Sequence, residues 1–203
     1  MTTDKTNYHH GDLRTALIDA ATDTIEELGP SGLTIREVAK RAGVSHAAPY
    51  RHFASKDELI LAVVERGFGL LQDTMQQAKE GAGEGALEQF AASGEAYFSF
   101  ARRYPTYYRV MFSGDLLSGT GDETLGHTST SAFLDIQGYL RDCQGLGLVR
   151  KDDELLQSIA IISSIHGFVS LVNDNRIGML VKDKYSIEEV REFLLKTIFD
   201  GLG

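Results

Sequence analysis

The sequence predicts an all-α protein with a helix-turn-helix domain over residues 1–55 and a larger helical domain over residues 56–203. Two observations favour this fold class. Apolar residues recur at the spacing of an amphipathic helix along most of the chain. In addition, Thr34, Ser55 and Ser186 are each followed three residues later by a glutamate, which is the capping-box pattern of a helix N-terminus.

The composition is typical of a globular protein and excludes several other classes. The chain has 203 residues, of which 42% are apolar and 24% charged. Its single cysteine, Cys143, excludes an internal disulfide framework and is typical of a reducing compartment. No run approaches about 20 consecutive apolar residues, and residues 1–4 show no signal-peptide pattern. We therefore expect a cytoplasmic protein with no membrane partner.

The first helix is predicted over residues 12–28, because Leu13, Leu17 and Ile25 lie on one face. A Gly-Pro-Ser-Gly segment then ends it. The adjacent histidines His9 and His10 have no carboxylate or cysteine at ligand spacing, so no metal site is predicted.

Residues 34–56 form the segment around which the rest of the chain is organised. Thr34 is predicted to cap a second helix, and Gly43 to end that helix in a left-handed conformation. A third helix is predicted to begin at Ser45, with Pro49 at its fourth position, where it removes only the first intrahelical hydrogen bond. Two short helices joined by a glycine-containing turn are typical of a helix-turn-helix, whose second helix lies in the DNA major groove.

The charge distribution supports a nucleic-acid partner despite a net charge of −9. Residues 34–56 contain five basic side chains and one acidic one, so the rest of the chain carries the acidic excess. A locally basic surface on an acidic protein can bind phosphate while the acidic remainder limits indiscriminate binding.

Six more helices are predicted from caps, apolar stripes and glycine breaks. They cover residues 55–79, 86–104, 105–112, 122–144, 155–173 and 186–199, which brings the predicted total to nine. Residues 155–173 are apolar almost all round, and a helix without a polar face must be buried on two sides.

These motifs resemble the DNA-binding domain of TetR-type transcriptional regulators. The resemblance covers residues 13–61 and rests on Gly43-Val44-Ser45, Tyr50-Arg51-His52-Phe53 and Ser55-Lys56-Asp57-Glu58-Leu59. Residues 8–14 and Ile165-His166-Gly167 resemble a branch with a Trp-His-Gly signature, although this chain has Ile165 where that branch has Trp.

The resemblance implies a two-fold dimer through the last two helices, with residues 56–203 serving ligand binding and dimerisation. It implies contacts to base edges by Arg36, His46, Ala47 and Tyr50, and to phosphates by Thr34, Ser45, Ala48, Tyr50, His52 and Lys56.

An apolar effector pocket is predicted in the second domain. Its candidate lining is Tyr97, Phe100, Tyr104, Tyr107, Met111, Phe133, Ile136, Ile162 and His166. Aromatic side chains suit small organic ligands, but core packing explains most of them equally well. His166 needs a polar partner on its apolar helix, which is either a ligand or a neighbouring carbonyl or tyrosine. The few basic residues, at the edges only, favour a neutral or weakly polar aromatic or lipid-like effector.

We therefore expect a ligand-responsive repressor that binds a palindromic DNA operator as a homodimer, with heads about 34–36 Å apart. A transcriptional activator and a ligand-independent DNA binder of the same fold are the alternatives. An enzyme acting on a small apolar substrate is a remote alternative, because the sequence has no nucleophile elbow, phosphate-binding glycine loop or HExxH motif. No cofactor is expected.

Overall fold

The computed structural model describes the backbone of residues 10–113 and 122–203, and the side chains of these residues except 10–12 and 122–132. Within those ranges the protein is all-α, as predicted, with nine α-helices, two short 3₁₀-helices and no strand. The α-helices are α1 (His10–Leu28), α2 (Ile35–Arg41), α3 (Lys56–Gly81), α4 (Ala86–Arg103), α5 (Pro105–Met111), α6 (Asp122–Gly145), α7 (Glu154–Asn173), α8 (Arg176–Val181) and α9 (Ile187–Leu202). The 3₁₀-helices are Pro30–Gly32 and Pro49–Arg51.

The chain divides into two compact units. The first comprises Met1–Gly67 and Thr106–Leu125, and the second comprises Phe68–Pro105 and Gly126–Gly203. The division therefore falls inside α3 rather than at residue 55. The predicted boundary at residue 55 marks the end of the helix-turn-helix motif, whereas the two units are defined by compactness. The predicted boundary therefore stays a prediction.

The core of the first unit joins α1, α2 and the start of α3. Leu17 and Ile25 on α1 are fully buried, as is Val38 on α2. Phe53 is 1% exposed, and the Arg14 guanidinium lies 5.3 Å from the centre of its ring. This core supports the segment between α2 and α3, because Phe53 of that segment is buried in it.

The three predicted helix caps at Thr34, Ser55 and Ser186 are confirmed. Each hydroxyl oxygen accepts a hydrogen bond from the backbone N–H three residues later, at 3.1 Å in all three cases. Only at Ser186 does the glutamate return to the N-cap N–H and complete the capping box. At α3 the Glu58 carboxylate accepts from the Ala54 N–H instead.

The predicted third helix is not an α-helix, which is the main correction to the predicted fold. Residues 45–48 form a turn, and the 3₁₀-helix Pro49–Arg51 follows. The cause is Pro49, which has no N–H to donate to Ser45 and whose ring opposes an α-helical carbonyl there. The backbone adopts i to i+3 hydrogen bonds instead, with the Ala48 N–H donating to the Ser45 carbonyl at 2.9 Å.

The structure also contains a helix that periodicity did not predict, α8, with six residues. Met179 and Leu180 on this helix are 70% and 74% exposed. Helices this short give too few repeats for periodicity to detect.

In the second unit α7 packs against α4 and α9. Ile161, Ile165 and Phe168 are buried on one side of α7. On the other side Leu156 is 66% and Ile159 is 46% exposed. The prediction that α7 lacks a polar face is therefore correct, but the packing within one chain covers only part of its surface.

By length and composition, α7 is also the one helix among the described residues that could cross a membrane, with a mean hydropathy of 1.8. The sequence expectation considered only uninterrupted apolar runs, which the serines and His166 break. Length and hydropathy are weak signs on their own, because a helix that packs in a protein core passes the same test.

Candidate functional site

The turn after α2 has a conformation set by Gly43, as predicted. Gly43 has φ +68°, its N–H donates to the Lys40 carbonyl at 3.1 Å, and the Val44 N–H donates to the Ala39 carbonyl at 3.0 Å. These two bonds make a Schellman motif, in which a residue with a side chain would be strained at the glycine position. The motif ends α2 and fixes the direction in which the chain leaves it.

The recognition segment, residues 45–53, has one buried and one exposed side. Pro49 and Phe53 are buried, and the Phe53 N–H donates to the Pro49 carbonyl at 2.9 Å. Tyr50 is 55% exposed on the opposite side. Two buried anchors therefore hold a turn that presents most of its remaining side chains to solvent.

The predicted base-edge residues all reach the surface. Arg36, His46, Ala47 and Tyr50 are exposed. A shallow hollow of about 520 Å³ lies beside them and is lined by Arg36, Glu37, Ala39, Lys40, Val44 and His46. Two of the base-edge candidates, Arg36 from α2 and His46 from the recognition segment, thus share one concave surface.

The predicted phosphate contacts are more varied in exposure. Thr34 and Ser45 are exposed, whereas Ala48, His52 and Lys56 are half-buried. Lys56 is the first residue of α3, where the backbone N–H groups of the first turn have no carbonyl acceptor within the helix. An anion at this position would meet both the Lys56 ammonium and the helix N-terminus.

One of the five basic side chains counted from the sequence does not belong to this surface. Arg41 is bound to Glu27 of α1 by two hydrogen bonds, of which the Nη1–Oε1 bond is 2.7 Å. The hydrogen bond from Arg41 lowers the pKa of Glu27. The positive charge of this surface therefore comes from Arg36, Lys40, Arg51 and Lys56. The Lys40 Nζ atom lies 3.6 Å from the Glu37 Oε1 atom.

The second unit contains a narrow apolar cavity between α4, α6, α7 and α9. Its volume is about 30 Å³, enough for about two water molecules. It is lined by Phe90, Ala91, Ser93, Gly94, Tyr97, Ile136, Ile161, Ile162, Ile165, Leu195, Ile198 and Phe199. The rings of Phe90 and Phe199 meet edge to face at 5.7 Å at one end.

Three of the nine predicted pocket residues, Tyr97, Ile136 and Ile162, line this cavity. The structure places the other six outside the cavity. Some of them lie on other faces of their helices, and others follow Pro105, where a new helix begins. Phe100 is fully buried against Tyr104, with ring centres 5.6 Å apart. Phe133 is half-buried on α6, one turn before Ile136.

Tyr107 and Met111 belong to the first unit rather than to the cavity. They pack on Gly67 of α3, where a Cβ atom would lie 2.6 Å from the Met111 sulfur and 3.3 Å from Tyr107. Pro105 begins a new helix after α4, so the aromatic run that looks continuous in sequence is split between two units.

His166 adopts the alternative arrangement considered from the sequence, a bond to a tyrosine. Its Nδ1 lies 3.1 Å from the Tyr97 hydroxyl oxygen. Burial lowers the pKa of His166, which favours the neutral ring, whose Nδ1 can accept a hydrogen bond from the Tyr97 hydroxyl. His166 therefore supports a residue that lines the cavity and does not line it itself.

Sequence reasoning missed the contribution of α9, namely Leu195, Ile198 and Phe199. The resemblance placed this helix at the dimer interface, and none of its residues was predicted to line the pocket, whereas α9 has apolar residues on more than one side. Among the described residues, no group of three or more His, Cys, Asp or Glu side chains is placed to hold a metal ion.

Together, the fold and this surface define an all-helical protein with a helix-turn-helix type of segment near its N-terminus. Residues 17–63 match the family described as bacterial regulatory proteins, tetR family, and residues 90–197 match the tetracyclin repressor-like C-terminal domain. The chain belongs to the TetR family.

Curated relatives match part of the chain. The transcriptional activator FasR of Mycolicibacterium smegmatis is 33% identical over 105 residues, which are 52% of this chain and 48% of that protein. A transcriptional repressor of Mycobacterium tuberculosis is 44% identical over 50 residues, which are 25% of this chain and 27% of that protein. The chain thus spans about half the length, or less, of these curated relatives.

Solved structures match almost the whole chain. A protein of unknown function from Rhodococcus sp. RHA1 is 29% identical, with a TM-score of 0.84 over 98% of this chain and 99% of that one. The regulator FadR of Bacillus subtilis, solved with stearoyl-CoA, is 20% identical, with a TM-score of 0.71 over 93% of this chain and 99% of that one. At 20% identity the second similarity shows the fold alone.

Proposed function

We propose that this protein is a ligand-responsive transcriptional repressor that binds a palindromic DNA operator as a homodimer in the cytoplasm. The observation that carries the proposal is the recognition segment, whose buried Pro49 and Phe53 present Tyr50 and His46 to solvent beside Arg36. Side chains on a rigid, exposed and locally basic turn can reach base edges, while phosphate contacts fix the position of the protein on the duplex.

The partner that completes the operator-binding unit is a second copy of the chain. Leu156 and Ile159 on α7 and Phe193 on α9 are exposed, and Phe193 is 73% exposed. Large apolar side chains at this exposure on neighbouring helices are typical of an interface between protein chains. A two-fold dimer would place two heads in successive major grooves.

The effector is proposed to enter the apolar cavity. Except for Ser93 and the Tyr97 hydroxyl, the lining side chains are apolar. At about 30 Å³ the cavity must widen to admit a drug-sized molecule, so binding would change the packing of the helices around it. An effector that binds the widened state more tightly would shift the population towards it and release the operator.

Activation remains the second candidate for the direction of regulation, because one curated relative is named an activator and another a repressor. Neither direction requires catalysis or a cofactor, and we propose that the protein is not an enzyme. Transcription in vitro from a template that carries the selected operator distinguishes the two directions.

Selection of bound duplexes from a random DNA library tests the DNA-binding proposal. We expect a palindromic sequence with half-sites about 10 base pairs apart, or a multiple of that spacing. Recovery of no preferred sequence under conditions in which the protein is folded would contradict the proposal.

A pair of glycine substitutions tests the cavity. Gly94→Ala places a Cβ 3.9 Å from Leu195 and 4.0 Å from Ile165, so it fills the cavity without a clash. Gly69→Ala on α3 meets nothing within 4 Å and is the control for the gain in helix propensity. For an effector found by screening for operator release, we expect Gly94→Ala alone to weaken the response several-fold.

A further inference from the structure

A second hollow continues the line of the apolar cavity along three of its four helices, α4, α7 and α9. It measures about 20 Å³ and is lined by Phe98, Arg102, Phe168, Val169, Val172, Ile187, Glu188 and Arg191. On α4 and α7 these residues follow the cavity residues by one or two turns, and on α9 they precede the cavity residues by one or two turns. We call the line formed by the two hollows the crevice.

The crevice is chemically different at its two ends. Phe90 and Phe199 meet at the apolar end, whereas Arg102 and Arg191 lie at the other end with apolar side chains beneath them. From Arg191 to Phe199 the helix rises about 12 Å. An apolar chain with bonds of about 1.5 Å spans that length with roughly ten carbons.

The Arg191 guanidinium is incompletely paired. Its Nε atom is buried and has no hydrogen-bond acceptor among the described residues. One terminal nitrogen lies 3.4 Å from the Glu95 carboxylate, which is long for a charge-assisted hydrogen bond. A buried Arg nitrogen without an acceptor is costly, so this position favours an additional anion.

The other charged groups at this end are accounted for. Arg102 pairs with Glu188 at 3.0 Å across α4 and α9, and both side chains are more than half exposed. From α7 only the apolar Phe168, Val169 and Val172 line the hollow. Arg191 is therefore the cation that an incoming acidic group would meet at the apolar crevice.

We infer that the effector is a monocarboxylate with an unbranched apolar tail, whose carboxylate binds Arg191 and whose tail lies along the crevice towards Phe199. This rests on the proposed ligand-responsive function and differs from the neutral or weakly polar aromatic or lipid-like effector expected from the sequence by its one negative charge. The guanidinium offers Nε and one terminal nitrogen in the planar arrangement that suits a carboxylate. Glu95 would lose part of its contact as the ligand binds.

Isothermal titration calorimetry of the full chain with decanoate and decan-1-ol tests the inference without DNA. We expect decanoate to bind at least tenfold more tightly than the alcohol. Arg191→Gln should remove that difference, and Arg191→Lys should keep part of it. Arg150→Gln, which removes a charge from an exposed pair with Asp152, is the control and should keep all of it.

Glu95→Gln is a second test, in which the affinity for decanoate should rise rather than fall. It removes the carboxylate that competes for Arg191, so we expect decanoate to bind several-fold more tightly and the alcohol to bind as before. This variant and Arg191→Lys keep the test decisive if Arg191→Gln does not fold.

Equal binding of acid and alcohol, or a difference that survives in folded Arg191→Gln, would overturn the inference. Binding of decanoyl-CoA without binding of decanoate would also overturn it. The inference can fail while sequence-selective operator binding stands. If no preferred operator exists, the proposed function fails whatever the calorimetry shows.

Discussion

The recognition segment and the crevice, the two proposed contact sites, are built in opposite ways. In the recognition segment the anchors Pro49 and Phe53 are buried and the candidate contact groups point outward. In the crevice the contact surface is the interior itself, and one cation, Arg191, lies at its end. The first arrangement is already formed before binding, whereas the second would have to widen to accept a ligand.

The difference has a physical origin. Local hydrogen bonds of the backbone hold the recognition segment, namely those from the Ala48 N–H to the Ser45 carbonyl and from the Phe53 N–H to the Pro49 carbonyl. Side-chain packing between helices distant in sequence holds the crevice. A preformed surface suits the reading of base edges. A deformable interior suits a ligand that shifts the population between two conformations of the protein.

The largest expected effect concerns the surface that pairs two recognition segments. Phe193→Glu on α9 should give monomers, because a charge would be buried in the apolar interface. Operator affinity should then fall by about 10²–10⁴, since the two half-sites are no longer engaged together. Light scattering and fluorescence anisotropy with operator DNA measure the two effects.

Leu87→Glu is the control for Phe193→Glu, because it introduces the same charge at an apolar residue that is 36% exposed on α4. It should leave both the dimer and the operator affinity intact. A monomeric parent protein at micromolar concentration would contradict the dimer proposal directly.

The next effect isolates base readout within the recognition segment. His46→Ala should change preference at one position of each half-site by about 1–3 kcal/mol, because the exposed ring is proposed to contact a base edge. Affinities for a panel of single-base operator variants measure the change. A uniform loss across the panel would instead assign His46 to the DNA backbone.

A smaller and sequence-independent effect is expected at the start of α3. Lys56→Ala should weaken all duplexes alike and reduce the slope of log K against log salt by about 0.9 for each lost phosphate contact. Titrations at several salt concentrations measure the slope. Asp73→Ala, at an exposed position in the second unit, is the control. A changed base preference with an unchanged slope would refute the phosphate assignment.

The smallest effect concerns the support of the crevice. Burial lowers the pKa of His166 below its ordinary value of 6.5, so the unfolded chain binds a proton more readily than the folded protein. The resulting stability is present above pH 6.5 and is lost as the pH falls towards the folded-state pKa. His166→Gln should therefore make the free energy of unfolding less dependent on pH below 6.5.

Tyr97→Phe separates the hydrogen bond from the titration. It removes the partner at 3.1 Å but leaves the ring, so the free energy of unfolding at neutral pH should fall by about 0.5–1.5 kcal/mol. The dependence on pH should remain. Thermal unfolding of both variants between pH 5 and 8 distinguishes the two contributions.

The sequence alone determined the features that depend on neighbours along the chain. The caps at Thr34, Ser55 and Ser186 and the left-handed Gly43 were all predicted, because each is a hydrogen bond or a backbone conformation within a few residues. Helix type and extent followed from the same local rules. The exceptions were the short helix α8, which periodicity missed, and the segment around Pro49, where the missing N–H has a larger effect than the capping signal.

Tertiary structure decided which side chains share a surface. The aromatic run from Tyr97 to Met111 suggested one pocket, but Tyr107 and Met111 belong to the first unit. Arg41 was counted with the basic surface until Glu27, from α1, proved to be its partner. Arg191 lies in the crevice because α9 packs beside α4, and the sequence did not indicate that packing. Periodicity tells which residues share a helix face, but the choice of facing helix comes from packing between residues far apart in sequence.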